Sequence, residues 1–156
     1  MTSFVVRPAA PGDLAGVVAL VPRLRAFGAP PLRPVEALDA AEQRTIEQFF
    51  DSPPEGAHLW VAVTADRGVV GAAYAHDAKD YFTGETHGHL GILAVSADVE
   101  GQGVGRALMA GVERWAAERA YRFVTLNVFA GNARALGVYE RAGYRPDTMR
   151  YVKELS

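Results

Sequence analysis

The sequence predicts a single α/β domain of the α+β type, in which about four helices flank a mixed central sheet. The chain has 156 residues, of which 49% are hydrophobic and 22% are charged, a balance that suits one globular domain with its own core. Strand-like and helix-like segments alternate along it, without an internal repeat or a low-complexity tract. Residues 1–156 are therefore expected to form one domain.

Hydrophobic periodicity and turn residues give the order of the elements. We expect a strand at residues 4–7, helices at 14–25 and 34–50, strands at 59–63, 69–75 and 90–95, a helix at 103–119, a strand at 123–128, a helix that follows Asn132 and reaches residue 142, and a strand at 151–155.

Local signals refine these bounds. Asp13 is the expected N-cap of the first helix, which Pro22 should kink or end. Asn132 should cap the last helix, and Gly143 should end it. Residues 76–89 are polar and are expected to be irregular.

A glycine-rich turn follows the apolar run of residues 90–95. Gly101, Gly103 and Gly105 occupy alternate positions directly before helical spacing begins. Glycines let the backbone approach a ligand closely, and the first amides of a helix have no intrahelical acceptor. Together with the positive end of the helix dipole, these amides predict an anion site, for which phosphate is the obvious ligand.

Two common nucleotide-binding motifs fit this turn poorly. Arg106 and Ala107 stand where a P-loop has Lys and then Ser or Thr. A dinucleotide-binding fold places its glycine turn after the first strand and an acidic residue at the end of the second strand. Here the turn lies past the middle of the chain, and the strand at residues 123–128 supplies no acid.

Composition argues against several other classes of protein. The formal net charge of −2 argues against a nucleic-acid partner, because a protein that binds nucleic acid needs a basic surface. The absence of cysteine excludes disulfides, thiolate metal sites and a cysteine nucleophile, and no metal site is predicted. No stretch approaches the roughly 20 apolar residues of a membrane span, so we expect a cytoplasmic protein without a membrane partner.

Two blocks of sequence resemble the GNAT family of acetyl-CoA-dependent N-acetyltransferases. The block from Val95 to Leu108 resembles the family's acetyl-CoA signature, Gln/Arg-x-x-Gly-x-Gly/Ala, with Gly103 and Gly105 in the glycine places. The block that begins Asn132-Ala-Arg-Ala-Leu-Gly-Val-Tyr-Glu resembles the later Asn…Tyr-Glu-x-x-Gly-Phe/Tyr motif. Two blocks in the family's order and separation are far more specific than either alone.

The chain departs from the family pattern at two positions. Ala97 stands where a proline is common, and Glu100 stands where Gln or Arg is usual. An acidic side chain beside a pyrophosphate should cost some affinity, although the backbone amide at this position is expected to matter most.

The resemblance implies a GNAT-like fold with splayed central strands and acetyl-CoA as the acyl donor. Residues 14–50 would supply the acceptor-side helices, and residues 90–144 would form the acetyl-CoA-binding core. Backbone amides of the glycine turn would hold the pyrophosphate, and the strand ending at Val95 would pair with the pantetheine and stabilise the oxyanion. The implied donor-binding residues are Leu93, Ala94, Val95, Glu100, Gly101, Gln102, Gly103, Val104, Gly105, Arg106, Asn132 and Tyr139.

The resemblance also suggests catalytic residues. Tyr139 matches the family tyrosine that can protonate the departing thiolate. His89 stands where one branch of the family has a glutamate, and its imidazole has a suitable pKa for a base or a water-mediating relay. Strand alternation places His87 on the same face, and Glu85 could join this group through water.

The expected function is direct acetyl transfer, in a ternary complex, to a primary amine of a small molecule or peptide. Acidic residues before the central strand hint at a cationic acceptor. The candidate acceptor-facing residues are Arg25, Phe27, Arg33 and Arg44. Two alternatives remain, a non-catalytic acyl-CoA-binding sensor or partner module, and an enzyme that uses a hydroxyl acceptor or a longer acyl donor. The resemblance is also compatible with a homodimer.

Overall fold

A five-stranded sheet forms the centre of the computed structural model, which describes residues 2–156. Its strands, in spatial order, are β1 (Val5–Pro8), β2 (Ala57–Thr64), β3 (Gly68–Lys79), β4 (Thr86–Val95) and β5 (Val124–Leu126). The first four strands pair antiparallel, whereas β4 and β5 run parallel. The prediction of a mixed sheet is therefore confirmed.

Helices cover both faces of this sheet. They are α1 (Leu14–Val18), α2 (Val35–Asp51), α3 (Val104–Glu118) and α4 (Ala133–Arg141). On one face, α3 contributes Leu108, Val112 and Trp115 to an apolar core. On the other face, α1 and α2 contribute Val17 and Ile46 to a second apolar cluster. Burial of apolar surface on both sides holds the helices to the sheet.

The first predicted helix is interrupted. After α1 the chain continues as a 3₁₀ helix at Val21–Arg25. Pro22 lies in the first turn of this 3₁₀ helix, because it lacks the N–H that a continuing α-helix would use. Asp13 stands at the predicted N-cap position, but its carboxylate accepts hydrogen bonds from Arg7 and from the Ala10 N–H instead of from the helix.

The prediction of an irregular segment at residues 76–89 is wrong. Strands β3 and β4 continue through it and pair as far as Lys79 and Thr86, which leaves residues 80–85 for the turn. Antiparallel pairing satisfies the backbone groups of both strands whatever their side chains are. Polar side chains are tolerated here because this end of the sheet borders solvent and a groove.

The prediction of a last strand at residues 151–155 is also wrong. Within residues 2–156 this segment pairs with no strand, and Tyr151 and Leu155 are 84% and 88% exposed. A strand needs a neighbouring edge for its backbone groups, and β5 offers an edge of only three residues.

Strands β4 and β5 separate soon after they meet. Their pairing ends at Leu90 and Leu126, although β4 continues to Val95. The register of β4 against β3 shifts at Gly91, a bulge that changes the direction of the following residues. The predicted splay of the central strands is confirmed, and it opens a groove at the edge of β4.

Gly71 allows α3 to lie close to β3. A Cβ atom at this position would stand 2.8 Å from Val104 Cγ1 and 3.0 Å from Leu108 Cδ1. We expect Gly71→Ala to lower the free energy of unfolding by about 1–3 kcal/mol, because overpacking forces buried side chains to shift. Urea denaturation measures this change.

Gly111→Ala is the matched control within α3. A Cβ atom there would have no heavy atom within 4 Å, so alanine should keep or raise stability, by up to about 1 kcal/mol of helix propensity. If Gly71→Ala were as stable as the parent protein, the close packing of α3 against β3 would be contradicted.

Candidate active site

A groove of about 1330 Å³ runs along the separation of β4 from β5. Part of β4, from His89 to Val95, forms its floor. The glycine turn with the start of α3 closes one end, and α4 forms a wall. Arg23, Leu24, Phe27 and Glu42, from the region between the first strands, also line it, as do residues 127–129 after β5. Two halves of the chain that lie far apart in sequence thus meet at one site.

The glycine turn presents backbone rather than side chains to this groove. Gly101 and Gly103 have left-handed backbone angles, with φ of 78° and 86°. A Cβ atom at either glycine would meet no heavy atom within 4 Å, so the space above the turn is open. Gly103 is the N-cap of α3, whose first amides and dipole therefore favour an anion there.

Arginines surround Glu100, the acidic residue directly before this turn. Glu100 accepts a hydrogen bond from Arg23 at 3.0 Å and forms an ion pair with Arg134. The ring of Phe27 lies under both guanidinium groups, with its centroid 5.2 Å from Arg23 Cζ and 4.5 Å from Arg134 Cζ. Two cations thus offset the charge of Glu100, and Arg106 and Arg141 also line the groove.

The edge of β4 supplies backbone groups to the groove. The Val95 carbonyl accepts a hydrogen bond from Arg23 Nε at 2.9 Å and therefore faces away from β3. Because alternate residues of a strand direct their backbone groups to the same edge, those of Leu93 also face the separation. Ala94 lines the groove as well, while its backbone is directed to β3 by the same alternation.

Tyr139 and Asn132 lie on the α4 side of the groove. The Asn132 side chain caps α4 by accepting a hydrogen bond from the Ala135 N–H at 3.1 Å. Burial raises the pKa of Tyr139, so its phenol stays protonated well above neutral pH. Its ring packs edge to face against Tyr144, whose hydroxyl donates to Glu113.

His89 lies at the other end of the groove. Its Nδ1 is 2.8 Å from Thr125 Oγ1, and the same hydroxyl lies 3.1 Å from His87 Nε2. Burial, and then the charges of His76 and His87, lower the pKa of His89 below its usual value. The imidazole is therefore neutral at neutral pH, the form in which it can accept a proton.

Two predicted site residues do not lie in the groove. Glu85 belongs to the turn between β3 and β4, where it pairs with Arg122 at 2.8 Å, and this hydrogen bond lowers its pKa. Gln102 accepts a hydrogen bond from the Thr2 N–H through its side chain. The structure therefore does not place Glu85 with His89. All the other predicted site residues line the groove.

Among the candidate acceptor-facing residues, only Phe27 lines the groove. Arg25 pairs with Asp39 at 2.9 Å, and Arg33 and Arg44 are exposed.

Sequence reasoning missed Arg23, Thr125 and Glu42. Glu42 lies on the inward face of α2, one turn before the buried Ile46. Its signal was present, because a carboxylate interrupts an otherwise apolar stripe of a helix. Burial raises the pKa of Glu42. The sequence around Arg23 and Thr125 contains no comparable signal of a functional residue.

Two kinds of feature are absent from the part of the chain that the structure describes. Among residues 2–156, no group of three or more His, Asp or Glu residues is arranged to hold a metal ion. In the same part of the chain, no helix has the length and apolar character needed to cross a bilayer.

Comparison with known proteins gives the site a context. The family model described as the acetyltransferase (GNAT) family matches residues 12–144. Mycothiol acetyltransferase from Nocardiopsis dassonvillei is 30% identical over 128 residues, which make up 80% of this chain and 38% of that protein. This chain therefore spans well under half of that relative's length.

Solved structures share the fold. An aminoglycoside N-acetyltransferase in complex with CoA has a TM-score of 0.73 at 21% identity, covering 100% of this chain and 96% of that chain. A ribosomal-protein-alanine N-acetyltransferase from Brucella melitensis has a TM-score of 0.70 at 20% identity, covering 98% of this chain and 100% of that chain. With the family model matched from residue 12 to residue 144, the chain belongs to the acetyltransferase (GNAT) family.

Proposed function

We propose that the protein transfers an acetyl group from acetyl-CoA directly to a primary amine of a small molecule or peptide. The observation that carries this proposal is one groove with a helix start, whose free amides favour an anion, at one end and a neutral imidazole at the other. A donor and an acceptor bound in one groove can react in a ternary complex, without a covalent enzyme intermediate. The names of the relatives support N-acetylation, since two of them are N-acetyltransferases.

The residues around the glycine turn fit the diphosphate of a CoA donor. The open space above Gly101 and Gly103 admits phosphate oxygens to the amides that begin α3. Arg106 and Arg134, which line the groove there, would add charge-assisted hydrogen bonds. The free backbone of Leu93 would bind the pantetheine or the thioester oxygen, where a developing oxyanion gains most from a fixed amide.

His89 and Tyr139 would carry out the two proton transfers of the reaction. As the amine nitrogen bonds to the thioester carbon and the C–S bond breaks, His89 takes the amine proton. Tyr139 gives its proton to the thiolate, and its raised pKa keeps that proton available. His89 and Tyr139 line the same groove, as two groups that act on one reacting centre must.

Release of free CoA thiol, measured with a panel of amines, tests the function. Thiol release together with acetylated amine supports the proposal. Binding of CoA without turnover of any amine would favour the acyl-CoA sensor instead. Calorimetry that detected no binding of CoA or acetyl-CoA to the pure protein would overturn both functions.

We expect Tyr139→Phe to reduce kcat about 100-fold or more while the Kd for CoA changes little, because the phenol acts on the leaving thiolate. Thiol release and calorimetry measure the two quantities. Tyr144→Phe is the control, since it removes a hydroxyl that donates to Glu113 beside the same ring. Turnover of Tyr139→Phe equal to that of the parent protein would contradict the general-acid role.

We also expect kcat to rise with pH through a midpoint below about 6.5, because burial lowers the pKa of His89 and its neutral form is the base. His89→Gln should lose this limb and fall about 100-fold at neutral pH. His58→Gln is the control, since His58 stacks on Trp60 away from the groove. An unchanged pH profile in His89→Gln would exclude this histidine as the base.

A further inference from the structure

We propose that Glu42 forms an anionic subsite in the acceptor end of the groove, which selects amines that carry a second positive charge. This inference rests on the proposed function and names the class of acceptor, such as a diamine or polyamine. Three observations support it: the placement of Glu42, its lack of a partner, and the separation of charge along the groove.

Glu42 is placed by the periodicity of α2. The helix packs its inward residues, including Ile46 and Phe49, into the apolar cluster on this face of the sheet. Glu42 precedes Ile46 by four residues and therefore lies on nearly the same face. The side chain lines the groove together with His89 and Leu24.

Glu42 is the carboxylate of the groove that has no partner. Three glutamates line the groove, and two of them are engaged. Glu100 is paired with two arginines, and Glu113 accepts a hydrogen bond from the Tyr144 hydroxyl. Within residues 2–156, Glu42 has neither a hydrogen bond nor an ion pair. Its pKa is raised by burial, so its charged form is poorly solvated and gains from a cationic ligand.

Three arginines that line the groove lie toward the donor end, at the glycine turn. Arg106 belongs to the first turn of α3, and Arg134 is paired with Glu100. Arg23 is held by Glu100 and by the Val95 carbonyl, so its charge also lies toward the glycine turn. This end of the groove therefore favours an anionic ligand, whereas the carboxylate of Glu42 favours a cationic one.

A carboxylate in this position discriminates between acceptors. One ammonium group of a diamine would pair with Glu42, while its other amine, deprotonated, would attack the thioester. A monoamine of equal length makes no such pair and leaves Glu42 desolvated without compensation. We therefore expect the diamine to have the lower KM.

The test compares 1,5-diaminopentane with pentylamine as acceptors. We expect the parent protein to use the diamine with a kcat/KM about 10-fold higher, a preference that weakens as ionic strength rises. Glu42→Gln should remove most of the preference by raising KM for the diamine, whereas Glu42→Asp should retain part of it. Glu47→Gln, an exposed change on the same helix, should leave the preference intact.

Binding to the CoA-loaded protein gives a second readout that does not depend on turnover. Calorimetry should show that the diamine binds Glu42→Gln about 10-fold more weakly than it binds the parent protein. Acetylation of both amines with equal kcat/KM in the parent protein would overturn the subsite while the proposed function stands. If no amine were acetylated, equal diamine affinity in the parent protein and Glu42→Gln would overturn the subsite on its own.

Discussion

The separation of β4 from β5 is the constraint on which the site depends. The two strands share a ladder that ends at Leu90 and Leu126, and β4 then runs on alone along this edge to Val95. An interrupted ladder leaves backbone groups that need other partners. Arg23 satisfies one of them at Val95, and the rest of that edge is left to form the floor of a groove.

The position of α3 makes this gap useful. Gly71 lets α3 lie directly on β3, so that the start of the helix stands at the end of β4. The left-handed glycines before it turn the chain without placing side chains over the helix amides. The gap supplies an unpaired strand edge and the helix supplies an anion site, and their adjacency allows one extended ligand to use both.

The charges around the turn explain how Glu100 is tolerated. An isolated acidic side chain there would repel a diphosphate. Glu100 instead holds Arg23 and Arg134, two cations from separate helices, so the local sum remains positive. Because Arg23 comes from the 3₁₀ helix after α1 and Arg134 from α4, Glu100 also ties the N-terminal helical region to α4.

Features set by local chemistry could be predicted from the sequence, and those set by distant partners could not. Gly103 at a helix start and Asn132 at a helix cap follow from short-range backbone geometry. Arg23 is 72 residues from Val95, and no local sequence pattern predicts the hydrogen bond between them. The full length of strands β3 and β4 could not be predicted, because polar strand residues beside a groove resemble a loop in the sequence.

The contact between Thr125 and two histidines restricts how His89 can act. The hydroxyl has one proton and lies near Nδ1 of His89 and Nε2 of His87. If that proton points to His87, the Nδ1 of His89 carries a hydrogen and its Nε2 has a free lone pair, as a base requires. If the proton points to His89, the Nε2 of His89 carries the hydrogen and the ring can only donate into the groove. The role of His89 is therefore set jointly with His87, a buried residue whose other nitrogen has no partner within residues 2–156.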